Sequence, residues 1–278
     1  MPSLHRVVSL ATAAVIAVSV SPSPVRAGPI QDNSFLIEEA YNQEAGVIQH
    51  ISNFSRTRTG AWTYTFTEEW PVLGQTHQAS VTGNYADLRS PGAKGVGDLA
   101  LNYRLQVLGS GETAVALAPR LSLLLPTGDA ARGLGSGGVG LQLNVPLSVV
   151  LSERFVSHVN IGGTYVPSAR AASGTSGQLT TFAIGQSLVW LAHQQLNFLV
   201  EALYTTTEIA ARGGLERSET LTVNPGVRAA INFASGLQIV PGVSVPIGLG
   251  PSHGERAVFF YLSFEHPFSP AGPQAERS

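Results

Sequence analysis

The sequence predicts an all-β fold: a transmembrane antiparallel β-barrel of about twelve strands in up-and-down order. Three observations carry the prediction. Apolar residues alternate with small or polar ones over runs of 11 to 13 residues. After residue 27 no apolar run is long enough for a membrane helix, which needs about 20 residues. Long polar connections also alternate with short ones along the chain. Only helices and closed barrels satisfy every backbone group in lipid, so a chain this apolar without helical spans reads as a barrel.

Residues 1–27 read as a signal peptide. His5 and Arg6 form a basic start and Val7 to Val20 an uncharged run of 14 residues. Val25 and Ala27 occupy the −3 and −1 positions of a cleavage site before Gly28. Residues 28–42 are then an N-terminal leader, 43–268 the barrel and 269–278 a tail.

Period-2 sorting identifies each strand. In Asp98–Leu108, Leu99, Leu101, Tyr103, Leu105 and Val107 share one face, and Asp98, Ala100, Asn102, Arg104 and Gln106 the other. Thr113–Leu125 and Val139–Leu151 sort in the same way. These lengths exceed the usual strand of about 5–6 residues and suit a tilted membrane crossing of about 9 to 11. Val156–Val166, Thr180–Leu191, Leu196–Thr205, Leu221–Ile231, Leu237–Ile247 and Ala257–Phe268 follow. Near the N-terminus Trp62, Tyr64 and Phe66 alternate with threonines, and residues 44–53 and 75–82 alternate less cleanly.

The connections fit. Gly109–Gly111, Ser152–Arg154, His193–Gln194 and Ser235–Gly236 are short turns, with a longer one at Glu68–Gly74. Asn84–Gly97, Pro126–Gly138, Pro167–Gln178, Thr206–Thr220 and Gly248–Arg256 are expected external loops. A turn centred near Ser110 sets Arg120 opposite Ala100 and diagonal to Asp98. The turn at His193 sets Gly185 opposite Glu201. Trp62, Trp70, Tyr165, Trp190 and Tyr204 gather toward strand ends as interfacial girdles require, whereas Tyr103 is expected mid-strand. The soluble competitor is an exported β-sandwich, whose outward faces would be polar. Here the second face is Ala, Gly, Ser and Thr, too small to fill a sandwich core.

Removing Arg6 and Arg26 leaves 14 basic residues against 18 acidic ones, a formal charge of −4, so no nucleic-acid partner is expected. There is no cysteine, hence no disulfide or thiolate chemistry, and the seven histidines are too dispersed for a metal site. No cofactor is expected. Gly133–Gly138 resembles a phosphate loop in composition alone, lacking the lysine and the following helix.

Arginines on the lipid face cost about 2–4 kcal/mol at midplane, so Arg104, Arg120 and Arg228 are placed in the lumen with Asp98, Glu201 and Glu265. Two readings are open. The charges form a constriction that selects a small solute, or a network of ion pairs and hydrogen bonds that braces the wall. Phe35, Leu36, Ile37, Glu38, Glu39 and Tyr41 precede the first strand. They form either a lumen plug or a free periplasmic leader, and an apolar cluster favours the plug. His158, inward with Asn160 two residues on, invites an enzyme reading, but no serine nucleophile signature accompanies it. A hydrogen-bonded wall histidine is the expectation.

With the strands placed, Phe35–Glu44 running into Gly46–His50, Gly97-Asp98-Leu99, and Phe259–Phe268 resemble stretches of the outer-membrane family labelled "MetA-pathway of phenol degradation". The resemblance spans nearly the whole mature chain. It implies an outer-membrane barrel, sometimes labelled a transporter, and brings no catalytic residue. The last strand, with Phe260, Leu262, Phe264 and Phe268 at alternate positions, also resembles the signal read by the barrel-assembly machinery. The expectation is a passive channel or facilitated-uptake protein for small solutes, with an apolar or aromatic preference implied by the family label alone. Its partners would be outer-membrane lipid, the solute and the assembly machinery. The alternatives are a non-transporting surface barrel and an outer-membrane hydrolase.

Overall fold

The structure, a computed structural model, describes residues 30, 32–89, 92–170, 174, 176–211 and 214–268. The expected signal peptide and C-terminal tail lie outside the described residues, as do residues 28, 29 and 31 of the leader.

Twelve strands close into an antiparallel barrel. The first six are β1 (Val47–Thr57), β2 (Trp62–Pro71), β3 (His77–Asp87), β4 (Lys94–Val96 and Leu99–Leu105), β5 (Val115–Leu117 and Arg120–Leu125) and β6 (Gly140–Ser152). The remainder are β7 (Phe155–Arg170), β8 (Ser176–His193), β9 (Leu196–Ala211), β10 (Gly214–Ala229, continued by Ile231–Asn232), β11 (Gln238–Ser244 and Ile247–Leu249) and β12 (Ala257–Pro267). Consecutive strands pair, and β12 pairs with β1 from Val47↔Pro267 to Thr57↔Ala257, so no edge is left open.

The expected sorting of side chains is realised. Leu101, Leu123, Leu141 and Leu143 are 38–51% exposed on the outer wall, while Ser122, Ser148 and Ser187 are fully buried inside. A soluble protein would invert this distribution, because exposing so many large apolar groups to water is unfavourable. Short connections gather at one end, taken as periplasmic: 72–76, 153–154, 194–195 and 233–237.

Three expectations are corrected. First, the hairpin of β4 and β5 pairs Arg104 with Arg120 and Ala100 with Leu124. The turn is centred beyond Ser110, with Thr113 N–H donating to Ser110 O at 3.2 Å. Val107 and Leu108 both donate to Leu117 O, a bulge that adds a residue to one side. Arg120 is therefore not diagonal to Asp98, although inward parity survives. The hairpin of β8 and β9 likewise turns later than expected, at 194–195 with an irregularity at Leu191/His193, and so sets Ser187, not Gly185, opposite Glu201.

Second, much of the expected loops 167–178 and 206–220 is strand. β9 and β10 stay paired out to Ala211↔Gly214. Their outer ends carry Thr205, Thr206, Thr207 and Glu208 facing Arg217, Ser218, Glu219 and Thr220. Threonine is β-branched and favours strand, and polar ladders need no lipid to persist. Third, regular pairing of β4 ends at Leu105, so Tyr103 sits near the periplasmic strand end, where its hydroxyl meets His77 Nδ1 at 2.6 Å.

Candidate functional site

The strand parity that turns leucines outward turns amides, hydroxyls and charges into the lumen, where they meet the chain's own N-terminal segment. From Asp32 to Gln43 this segment lies inside the barrel and travels around its inner wall. Extended backbone away from any sheet must find partners for its polar groups, and here wall side chains supply them. Gln43 N–H donates to Gln78 Oε1 at 2.7 Å, and Asn42 N–H to Gln106 Oε1 at 3.0 Å. Ala40 N–H donates to Ser148 Oγ at 2.8 Å. Asn160 grips Glu38 twice, accepting from its N–H and donating to its carbonyl, each at 2.8 Å. Glu201 Oε1 receives the N–H groups of Leu36 and Ile37 at 2.8 and 3.0 Å, while its Oε2 accepts from Asn224 Nδ2 at 2.6 Å.

The arginines hold the carbonyls and carboxylates. Arg104 donates to Tyr41 O at 2.7 Å, Glu39 O at 3.3 Å and Asn42 Oδ1 at 3.0 Å. Arg228 donates to the carbonyls of Asp32 and Asn33. Arg120 forms a two-point pair with Glu38, Nε to Oε2 at 3.0 Å and Nη2 to Oε1 at 2.6 Å. Burial works against the charged Glu38 carboxyl, yet the Arg120 guanidinium outweighs it and holds the group below the usual carboxylate range.

The segment's two ends meet at Gln49, which donates to Asp32 Oδ1 at 2.8 Å and accepts from Gln43 Nε2 at 2.5 Å. Asp32 also accepts from Tyr261 and Ser263. Apolar side chains fill sockets where the wall lacks a Cβ: Gly226 and Gly242 meet the Phe35 ring, and Gly185 meets Ile37. Phe259 and Tyr261 flank Phe35, each with ring centroids 5.7 Å away.

Of the residues singled out in the sequence, Arg104, Arg120, Glu201 and Arg228 thus converge on Phe35, Leu36, Ile37, Glu38, Glu39 and Tyr41 or their neighbours. Glu265 meets the segment at Gln43 Nε2, 3.4 Å away. His158 is buried, bonded through Nδ1 to Ser148 Oγ at 2.7 Å, with the Tyr41 ring edge-on at 6.1 Å. Asp98 stands apart at the external end. It accepts from Gly128 N–H at 3.0 Å and from the Ser136 N–H and hydroxyl at 2.6 Å each, fastening the loop between β5 and β6. Sequence reasoning missed Asp32, Gln49, Gln78, Gln106, Ser148 and Asn224. For all but Asp32, which precedes β1, the signal is a polar side chain at inward parity on or beside a wall strand, which marks a lumen but not its occupant.

The segment divides the lumen. On its external side two hollows of about 260 and 190 Å³ share Leu36, Ile37, Glu38, Arg120 and Gln142 in their walls. Asn53, Thr67, Ser80, Thr82 and Asn102 complete the larger. On its periplasmic side a hollow of about 420 Å³ is lined by Glu39, Tyr41, Gln43, Gln238 and Glu265 among others.

Comparison with known proteins agrees with this architecture. The family described as MetA-pathway of phenol degradation matches residues 27–246. A sequence comparison with curated proteins finds no match. Among solved structures, the COG4313 outer membrane channel from Pseudomonas putida F1 superposes with a TM-score of 0.63 at 13% identity, covering 82% of this chain and 97% of that one. The NanC porin superposes with a TM-score of 0.53 at 8% identity, covering 78% and 98%. At such identities the likeness is one of fold. These neighbours are a channel and a porin rather than enzymes, and the closed, lipid-faced barrel belongs in the bacterial outer membrane.

Proposed function

The chain belongs to the MetA-pathway of phenol degradation family, and from that premise we propose that it is a passive outer-membrane channel for small solutes whose N-terminal segment acts as a plug. The carrying observation is the ring of wall side chains that bind the segment's backbone, from Gln78 on β3 to Glu201 on β9. A hydrogen bond contributes about 0.5–1.5 kcal/mol net, more when one partner is charged. Together these contacts hold the segment across the lumen against its conformational entropy.

In this reading Arg104, Arg120, Arg228, Glu201 and Glu265 are plug-holding residues first. Arg120, at the floor of the external hollow, is the cation an entering solute meets. Asp98 sets the position of an external loop, and His158 shapes the seat of Tyr41. Amide and hydroxyl groups around the hollow suit a solute able to form hydrogen bonds, and the family description adds an aromatic ring to the expectation. Diffusion of this kind uses no cofactor. The last strand, whose Phe260, Leu262 and Phe264 face outward, would present the assembly signal before it closes on β1.

The same filled lumen favours a second reading, a surface barrel that transports nothing. Single-channel conductance and liposome swelling, with the full-length protein and with one lacking residues 28–42, separate the two. We expect low conductance in the first and a severalfold rise in the second. A deletion protein that folds as a barrel yet conducts no better than its parent overturns the channel.

A further inference from the structure

Apart from the lumen, one stretch of the external rim gathers cations among the described residues. At the external rim of β12, β1 and β4 lie Arg256, Arg56, Arg58 and Lys94, all exposed. Arg56 continues the outward face of β1 and stands across from Trp62 on β2 and Val258 on β12. Directly below it Phe54 packs on Trp62 and Phe260, with ring centroids 5.7 and 6.4 Å apart. Lys94 reaches over the Trp62 ring, its Nζ 5.7 Å from the centroid, and Trp62 stacks on Tyr85 at 5.8 Å. Arg58 and Arg256 are joined through their backbones, N–H to carbonyl at 2.9 Å. These cations therefore crown an aromatic belt of the kind that marks a membrane boundary.

Among the described residues none of these four makes an ion pair, although acidic side chains lie close. Asp87, opposite Lys94 on β3, is engaged by Arg89 at 3.6 Å, and Glu255 adjoins Arg256 on the loop. The far side of the barrel differs. There Arg217 is held by Glu208 at 3.6 Å and Glu219 at 2.5 Å, and with two carboxylates on one guanidinium that rim is net negative. Unpaired cations with apolar stems over aromatic rings suit a ligand that is anionic above and hydrocarbon below.

We infer that this rim binds the phosphates of the outer-leaflet lipopolysaccharide. The Lys94 ammonium lies over the Trp62 ring, directly across from Arg56, so these two cations converge on one phosphate. A glucosamine disaccharide with a phosphate at each end brings the second to Arg58 and Arg256, nearer β12. Its acyl chains would run down over Phe54, Phe260 and Val258. The inference rests on the outer-membrane location and is independent of transport.

The test measures the shift in unfolding temperature of purified, detergent-solubilised full-length barrel on titration with bisphosphorylated lipid A, monophosphorylated lipid A and inorganic phosphate. The bisphosphorylated lipid should stabilise the protein at the lowest concentration. The monophosphorylated form should need several times more, and inorganic phosphate should do nothing at the same phosphate concentration. The combined substitution Arg56→Gln, Lys94→Gln and Arg256→Gln should weaken lipid A binding at least tenfold, with heat-modifiable gel mobility showing that the barrel still forms. Arg217→Gln, on the opposite rim, should bind as the parent does. Equal binding by the triple variant and the parent would overturn the assignment. So would equal stabilisation by free phosphate, or equal loss in the Arg217 variant.

Discussion

Glu201 shows how much one inward side chain can organise. Its carboxylate is 1% exposed, yet three donors reach it: two backbone amides of the N-terminal segment and the Asn224 amide. A buried carboxylate without such partners would be strongly unfavourable, so the contact holds both the wall and the segment. Replacing it by alanine strands two N–H groups and the Asn224 amide. The expected cost is about 1.5–3 kcal/mol for loss of hydrogen bonds to a charged group. That corresponds to a roughly tenfold or larger rise in the displaced-segment population. Glu201→Ala should therefore open more often in single-channel records, and unchanged gating would count against the plug. Strand parity was enough to place Glu201, Arg120 and Arg228 in the lumen from sequence. It could not show that Arg228 and Glu201 hold backbone, because the partner residues lie more than 160 positions away.

At the scale of elements, the strands carry different loads. β7 to β10 run to 16–18 residues, beyond the about 9 to 11 needed to cross the membrane, and project as polar hairpins. Their alternation continued past the point where the sequence reading placed loops, because threonine-rich ladders are as regular in water as leucine-rich ones are in lipid. The connection between β5 and β6 is instead irregular and is fastened by Asp98. Asp98→Ala removes three acceptor contacts, to Gly128 and twice to Ser136, and leaves that loop without its anchor. The variant should fold as the parent does but be cleaved within residues 126–138 at severalfold lower protease concentration. Equal resistance would show that the loop is held elsewhere. The position of the turn between β4 and β5 is a further element-level decision. Centred two residues beyond Ser110, it moved Arg120 four residues along its partner strand while leaving it inside, since only an odd shift changes face.

Across the whole molecule, stability depends on sorting between lipid and lumen. Leu143 lies on the outer wall, 49% exposed and paired with Leu121 and Gly163 on the neighbouring strands. Leu143→Arg should cost about 2–4 kcal/mol if the residue meets the bilayer midplane, read as reduced folding into lipid vesicles at equilibrium. A change below the measurement error would mean that this face does not meet hydrocarbon. The barrel closes without an edge and then fills its own interior, so wall and segment stabilise each other.

The sequence by itself determined the class of fold, the number of strands and the face each residue presents, because a two-residue period is a local property that lipid and lumen read independently at every strand. It also held the N-terminal cluster from Phe35 to Tyr41, whose apolar residues required a buried seat. Tertiary structure alone decided which wall groups form that seat. Register and barrel closure bring Gln78, Ser148, Asn160, Glu201 and Arg228 from five strands around one short stretch of backbone. No local pattern encodes a meeting of partners so far apart in the chain.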